Sequence, residues 1–394
     1  MPHLRFPEFE GEWEKCPLGK ISTKITKKNK GNTIQNVLCN SATLGLIPQN
    51  DYFDREIANS NNTESYYVIE YGDFVYNPRK SVSAPYGPVN IYTGSIKGII
   101  SPLYLCFSVH SIMPSFLYYR FKSSVWFPYV YSHGDTGTRF DRVSIKDDVF
   151  FEMPIYMPSP KEQIKIANLM ALLDERIATQ NKIIDKLQSL IKGIMVELQK
   201  QGVNKGTWKT VFLSDVLTER NERNTNLFQV FSVSVSQGVV NQVDYLGRSF
   251  AAKDTSKYNV VHYGDLVYTK SPTGSFPYGI VKQNLNLENV AVSPLYGVYK
   301  PKSLAVGAYL HEYFMSKINT HNYLHPLIQK GAKNTINITN QRFLENCVLL
   351  PTNINELLQI SKLLRSLNNK IKYQQDILQQ YQKQKQYLLR QMFI

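Results

Sequence analysis

The same long amphipathic pattern occurs twice in the chain. From Ser159 to Gln201, apolar side chains fall at Ile166, Leu169, Leu173, Ile177, Ile184, Leu187, Ile191, Ile194 and Leu198. This spacing keeps one stripe on one face of a helix. From about Asn353 onward, Ile360, Leu363, Leu367, Ile371, Leu378, Tyr381, Leu388 and Met392 repeat it after a shift of 194, interrupted only by Gln374 and Lys385. Each helix alone would leave an apolar seam in water, so the pattern predicts that the two pack on each other. Ser159, Pro160 and Glu162 supply an N-cap, a first-turn proline and a capping-box acid, and Asn353 with Glu356 repeats the device. Gly202 is expected to close the first helix in the left-handed conformation. Gly193, inside that helix, marks either a close approach of the partner or nothing.

Ahead of each helix the pattern changes to short strand-like runs punctuated by turns. Tyr66–Ile69 and Phe74–Tyr76 flank a Tyr71-Gly72-Asp73 turn, Ile99–Phe107 reads as one strand containing Ser101-Pro102-Leu103-Tyr104, Phe116–Phe121 as helix, and Val149–Met157 as strand. The second half restarts this order. Trp208 answers Trp13 at a shift of 195, while Tyr263-Gly264-Asp265 and Ser293-Pro294-Leu295-Tyr296 answer their counterparts at 192. The chain is a tandem duplication of about 195 residues, with domains expected at 1–158 and 203–351 and helices at 159–202 and 352–394. The frame is shared. The polar loops Asn77–Ser81 and Thr269–Ser275 read as unrelated, as do Asp135–Arg139 and Gln329–Thr335.

Length and composition add a partner class. The 394 residues suffice for two or three cores, and 43% hydrophobic with 19% charged residues fits a folded protein. No stretch approaches 18 uninterrupted apolar residues, so no membrane partner is expected, and the first residues lack a signal-peptide layout; a cytoplasmic location is expected. Cys16, Cys39, Cys106 and Cys347 form no C-x-x-C pair and read as reduced thiols. A net charge of +14 favours a polyanion, nucleic acid before membrane surface. Lys20, Lys24, Lys27, Lys28 and Lys30 read as an exposed basic loop or simply a solvated face.

No catalytic constellation emerges. The nearest approach to an Asn/Asp-Pro-Pro-aromatic methyltransferase loop is Asn77-Pro78-Arg79, which lacks the second proline and the aromatic; neither a phosphate-binding loop nor a metal spacing is present in the sequence. For contacts to phosphates and base edges, the candidates are Asn77, Arg79, Lys80, Thr138 and Arg139 in the first copy. Those in the second are Lys270, Ser271, Lys330, Lys333, Asn334 and Thr335.

Two variable domains alternating with two similar long helices, the opening Leu4-Arg5-Phe6-Pro7-Glu8-Phe9 with Gly11-Glu12-Trp13, the paired Tyr-Gly-Asp turns and Thr136-Gly137-Thr138-Arg139 resemble the specificity (S) subunit of a type I restriction–modification system. The second copy departs from the pattern at Lys333-Asn334-Thr335. The resemblance implies an α+β fold, in which two α/β target-recognition domains are separated by two long antiparallel coiled-coil helices. It implies a non-catalytic reader of double-stranded DNA. The helices, roughly 60 Å long at 1.5 Å per residue, would set the gap between half-sites and dock two methyltransferase (M) subunits. Restriction (R) subunits would join them; S-adenosylmethionine, ATP and Mg2+ would sit on those partners, with no cofactor or metal in this chain. Two other classes remain open at this point: a stand-alone DNA methyltransferase with diverged motifs, and a coiled-coil scaffold or RNA-binding protein.

Overall fold

The computed structural model describes residues 1–52, 63–134, 141–330 and 336–394. The chain divides into two compact units, one of Met1–Thr179 with Ile377–Ile394 and the other of Gln180–Asp376. In the first unit the strands are β1 (Glu14–Pro17), β2 (Ser22–Lys24), β3 (Leu38–Ser41), β4 (Gly45–Pro48), β5 (Tyr67–Ile69), β6 (Phe74–Tyr76), β7 (Val89–Ile91), β8 (Gly98–Ile100), β9 (Leu105–Val109) and β10 (Pro154–Met157). The second unit holds β11 (Trp208–Phe212), β12 (Leu217–Glu219), β13 (Phe231–Ser234), β14 (Gly238–Asn241), β15 (Asn259–Val261), β16 (Leu266–Tyr268), β17 (Val281–Gln283), β18 (Val290–Val292), β19 (Gly297–Pro301), β20 (Gln329–Lys330), β21 (Ile336–Asn337) and β22 (Cys347–Pro351). The central sheets have matching antiparallel orders, β2-β9-β6-β7 and β12-β19-β16-β17. The smaller pairs match too: β1-β10 with β11-β22, β3-β4 with β13-β14, and β5-β8 with β15-β18. The fold is α+β, and the duplication seen in the sequence is a duplication of topology.

The shared motifs are turns. Gly72 and Gly264 both have φ +91, which glycine adopts at no steric cost. Asp73 and Asp265 close these turns by accepting the Glu70 and His262 N–H groups at 2.7 and 2.8 Å. Ser101–Tyr104 is likewise a turn between β8 and β9 rather than the middle of one strand: the Tyr104 N–H bonds the Ser101 carbonyl at 3.2 Å, leaving the proline outside both ladders. The expected strand at Val149–Met157 is also divided, into a short helix, Asp147–Phe151, and β10. Pro114–Lys122 is helical and contains the predicted helical stretch.

The long helices run Pro160–Asn204 and Ile354–Gln391. Ser159 Oγ accepts the Glu162 N–H at 3.4 Å, but the Glu162 carboxylate turns away from the cap and binds the Arg5 guanidinium at 2.7 and 2.8 Å. In the second unit the equivalent Glu356 instead accepts from Trp208 Nε1 at 2.7 Å. Gly202 does not close the first helix. A Cβ there would overlap the Trp208 ring, so glycine allows the tryptophan to seat, and the left-handed residue is Gly206, φ +67. Around Gly193 a Cβ would meet nothing within 4 Å, so no partner helix approaches it among the described atoms.

Within each unit the apolar stripe is largely buried. Ile166, Leu173, Ile184, Ile360 and Ile371 are buried, and Leu169, Ile177, Leu187, Leu367, Leu378 and Tyr381 are half-buried. Leu363 differs: it is 45% exposed, and its neighbour Leu364, at 1%, occupies the buried position. A period of 3.6 drifts relative to a strict heptad, and here the drift carries the stripe by one residue. The polar interruptions meet partners. Lys385 pairs with Asp174, Arg176 lies 5.8 Å from the Tyr381 ring, and Gln180 Nε2 donates to the Gln374 carbonyl at 3.0 Å. Partner numbers fall as helix numbers rise, which is antiparallel pairing. Polar pairs in an apolar seam penalise slipped registers.

The first core gathers Phe74, Phe107, Phe116, Phe121, Trp126 and Phe150 with Met170 and Leu173, and closes on Leu388, Leu389, Met392 and Phe393. The second places Tyr268, Tyr299, Tyr309, Phe314, Tyr323 and Phe343 in its interior. Buried tyrosines there keep their hydroxyls satisfied by backbone carbonyls, as with Tyr309 to Leu349 at 2.9 Å. These tyrosines are therefore interior packing.

Two stability measurements follow. Gly202→Ala lowers the unfolding midpoint, because overpacking costs about 1–3 kcal/mol and outweighs the helix-propensity gain, whereas Gly193→Ala raises stability by up to about 1 kcal/mol. Denaturant titration of both variants checks the opposite signs. His311 is half-buried and its Nδ1 accepts the Gln283 N–H at 3.0 Å, a bond that the neutral ring makes; desolvation, aided by Lys282, pushes its pKa from 6.5 down to about 3. The unfolded chain binds the proton first, so this contribution to stability is full above 6.5 and is lost as pH falls toward 3. His311→Gln, which keeps an acceptor, shows a smaller drop in urea midpoint than the parent between pH 7 and about pH 5.

Candidate nucleic-acid interface

Each unit projects a finger between the third and fourth strands of its central sheet order, β6 to β7 and β16 to β17, and the two fingers are built alike. The first runs from Asn77 to Pro88 and the second from Thr269 to Ile280. Tyr76 and Tyr268, the last residues of β6 and β16, donate their hydroxyls to the Tyr86 and Tyr278 carbonyls at 2.9 and 2.7 Å. Gly87 (φ +84) and Gly279 (φ +94) pinch the necks; a Cβ at Gly87 would overlap the Asn77 carbonyl, and at Gly279 it would lie 2.9 Å from the Lys270 nitrogen. The tips are tight turns closed by Ser81↔Ala84 and Thr273↔Phe276. Reading these loops as unrelated is therefore corrected. Pro85-Tyr86-Gly87 and Pro277-Tyr278-Gly279 repeat at the same shift of 192 as the turns before them, so the signal was present in the sequence. At the tip Val82 stands against Gly274 while Ser83 and Ser275 agree, and all four are exposed; Arg79-Lys80 against Ser271-Pro272 differ on the way to it.

The finger sorts the candidate residues. Asn77 is buried and serves the neck: its Oδ1 accepts the Arg79 N–H at 3.0 Å and its Nδ2 donates to the Asn40 carbonyl at 3.3 Å. Its side chain thus holds the neck in shape. Arg79 is exposed, its guanidinium 3.8 Å from Asp141 in a solvated ion pair. Lys80 is half-buried and its N–H donates to the Asp141 carbonyl at 2.8 Å. The Val143 N–H bonds the Pro78 carbonyl at 2.9 Å and Arg79 bridges to Arg142, so residues 141–143 strap the base of the finger and gather Arg79, Lys80 and Arg142. Arg142 was not singled out from sequence; only this long-range bridge reveals it. Thr138 and Arg139 lie outside the described residues.

In the second unit Lys270 takes a left-handed conformation (φ +57) at the neck and is half-buried, which lowers its pKa against the opposing effect of Glu219. Ser271 is exposed, but its hydroxyl is tied back to the Thr269 carbonyl at 3.2 Å. Lys330 pairs its backbone with Ile336 across β20 and β21. Lys333, Asn334 and Thr335 lie outside the described residues. The basic loop of the first unit is exposed at Lys27, Lys28 and Lys30, while Lys24 pairs with Asp147 at 2.6 Å and Lys20 lies 3.8 Å from Glu14. No cluster of three or more metal-ligating side chains occurs among the described residues. No described helix is long and apolar enough to cross a membrane.

No family model matches the chain, and no curated protein matches it. Solved structures do. The S subunit of the type I restriction–modification system from M. genitalium covers 100% of this chain and 99% of its own, at 12% identity and a TM-score of 0.58. A chain from a structural study of complex assembly and conformational transition in the type I R-M system covers 97% of each, at 13% identity and a TM-score of 0.50. Over its whole length, and not in one domain only, the chain has the fold of a type I restriction–modification S subunit.

Proposed function

We propose that this protein is the DNA-sequence-reading, non-catalytic subunit of a type I restriction–modification complex. Each globular unit reads one half of a bipartite site in double-stranded DNA. The long helices set the gap between the halves and dock two methyltransferase subunits, with restriction subunits joining that assembly. S-adenosylmethionine, ATP and Mg2+ belong to those partners, as does N6-adenine methylation and ATP-dependent cleavage; a cytoplasmic setting follows from the substrate. The observation that carries this reading is the full-length likeness to S subunits in a chain that repeats one loop-bearing scaffold twice and varies the tips. A net charge of +14 supplies the general attraction to the phosphate backbone. Pinched, hydrogen-bonded fingers suit base reading, because a preformed loop loses little entropy on binding.

Exchanging residues 203–351 for the corresponding domain of another such subunit alters only one half of the methylated sequence, read by methylome sequencing of cells carrying the whole system. A change in both halves refutes the two-reader assignment. At the single-residue level, Arg79→Ala weakens binding of the full-length chain to all duplexes alike and reduces the slope of log affinity against log salt by about 1. An unchanged slope shows that Arg79 does not touch a phosphate.

A further inference from the structure

Beside each finger stands a second duplicated element, the hairpin β3–β4 in the first unit and β13–β14 in the second. Its frame is constant. Ser41 and Ser234 accept the Leu44 and Gln237 N–H groups at 3.2 and 3.4 Å, and Gly45 and Gly238 share the same φ of +78. Its three turn residues are not: Ala42-Thr43-Leu44 in one copy, Val235-Ser236-Gln237 in the other. Thr43, Leu44, Ser236 and Gln237 are all exposed, Leu44 at 61%.

Both hairpins are fastened to the central sheet by buried polar groups that reach the turn itself. In the first unit Asn90 Nδ2 donates to the Ser41 carbonyl at 2.9 Å, and Lys122 Nζ donates to Asn90 Oδ1. The residue equivalent to Asn90 in the second unit is Lys282, whose Nζ donates directly to the Val235 carbonyl at 2.6 Å. An ammonium thus serves both turns, arriving from a helix in one copy and from a strand in the other. Burying an ammonium is costly, and in both copies it supports this hairpin, through Asn90 in one and directly in the other. The hairpins also converge with the fingers. Asn40 Nδ2 donates to the Val75 carbonyl at 2.8 Å while the Asn40 carbonyl receives Asn77, and in the second unit Val235 lies 3.9 Å from where a Cβ on the finger-tip Gly274 would sit.

We propose that these hairpin turns are a second base-reading element, with Thr43 and Leu44 selecting bases in one half-site and Ser236 and Gln237 in the other. The proposal rests on the DNA-reading function above. A constant, anchored frame with unlike exposed tips, set against a finger of the same design, is what two readers of unlike sequence need. The chemistry assigns preferences: a glutamine amide pairs with the N6 and N7 edge of adenine, leucine meets a thymine methyl, and the Thr and Ser hydroxyls bond either kind of edge. Lys282 acts as a positioning residue by direct contact with its turn, and Lys122 does so through Asn90.

The test is selection of bound duplexes from a randomised library by the full-length chain, followed by sequencing. Gln237→Ala is expected to reduce discrimination about tenfold or more at one or two adjacent positions of a single half-site, leaving the other half unchanged. Gln237→Leu, which copies the first unit's tip, moves the preference there from adenine toward thymine. Lys282→Met lowers discrimination at the same positions while keeping the same preferred bases. Because Gln237 is exposed at a turn, its variants should melt with the parent. A parent chain with no sequence preference overturns the DNA-reading function and this proposal together. A parent with a bipartite preference that Gln237→Ala leaves intact at every position overturns the hairpin assignment alone, as does uniform weakening across all sequences, the mark of a phosphate contact.

Discussion

The first unit cannot complete its core from its own contiguous stretch of chain. Leu388, Leu389, Met392 and Phe393 come from the last turns of the second long helix and lie among Trp13, Phe116, Ile166 and Met170, with the Phe393 and Phe116 rings 5.4 Å apart. The Leu4 N–H caps this closure by bonding the Gln391 carbonyl at 2.9 Å. Full burial of each such side chain contributes roughly 1.5–3 kcal/mol, so the unit depends on residues about 380 positions away from its start. The helices therefore do more than link the domains: the first gives its opening half to one unit and its closing half to the other, and the second does the reverse.

That constraint accounts for the polar residues inside the seam. An uninterrupted apolar stripe tolerates a slip of one heptad with little change in buried area. Gln180 against Gln374 and Asp174 against Lys385 do not, because a slip leaves a buried amide or a charge unpaired. Register is held by the few positions that look like flaws in the pattern.

Duplication separates two kinds of position cleanly. Residues answering to the interior are held nearly constant in role: Tyr76 stacks on Phe150 at 4.7 Å and Tyr268 on Phe343 at 4.8 Å, and both hydroxyls bond the same point of their fingers. Exposed tip residues have diverged, Val82 against Gly274 in the fingers and Thr43-Leu44 against Ser236-Gln237 in the hairpins. Where a buried requirement allowed two solutions, both occur: Glu162 binds Arg5 while Glu356 binds Trp208, and Trp13 Nε1 has no hydrogen-bond partner among the described residues. The packing fixes what must be satisfied, not which side chain satisfies it.

Sequence alone determined the repeat, both long helices, the Tyr-Gly-Asp turns and the strand-like runs around them, because these follow from local periodicity and from chain-internal comparison. It also contained Pro-Tyr-Gly twice, the mark of equivalent fingers, which a reading centred on unlike polar loops passes over. Other features required the tertiary structure. Asn77 sits among candidate contacts in sequence but is buried in a neck; Leu363 fits the stripe by spacing but yields its place to Leu364. Gly202 resembles a helix stop, yet it makes room for Trp208. Arg142 joins Arg79, and Lys122 joins Asn90 beneath a hairpin, only through pairings between distant segments. Periodicity records which face of an element is apolar. What that face meets, and which polar groups must be satisfied there, is set by contacts between residues far apart in the chain.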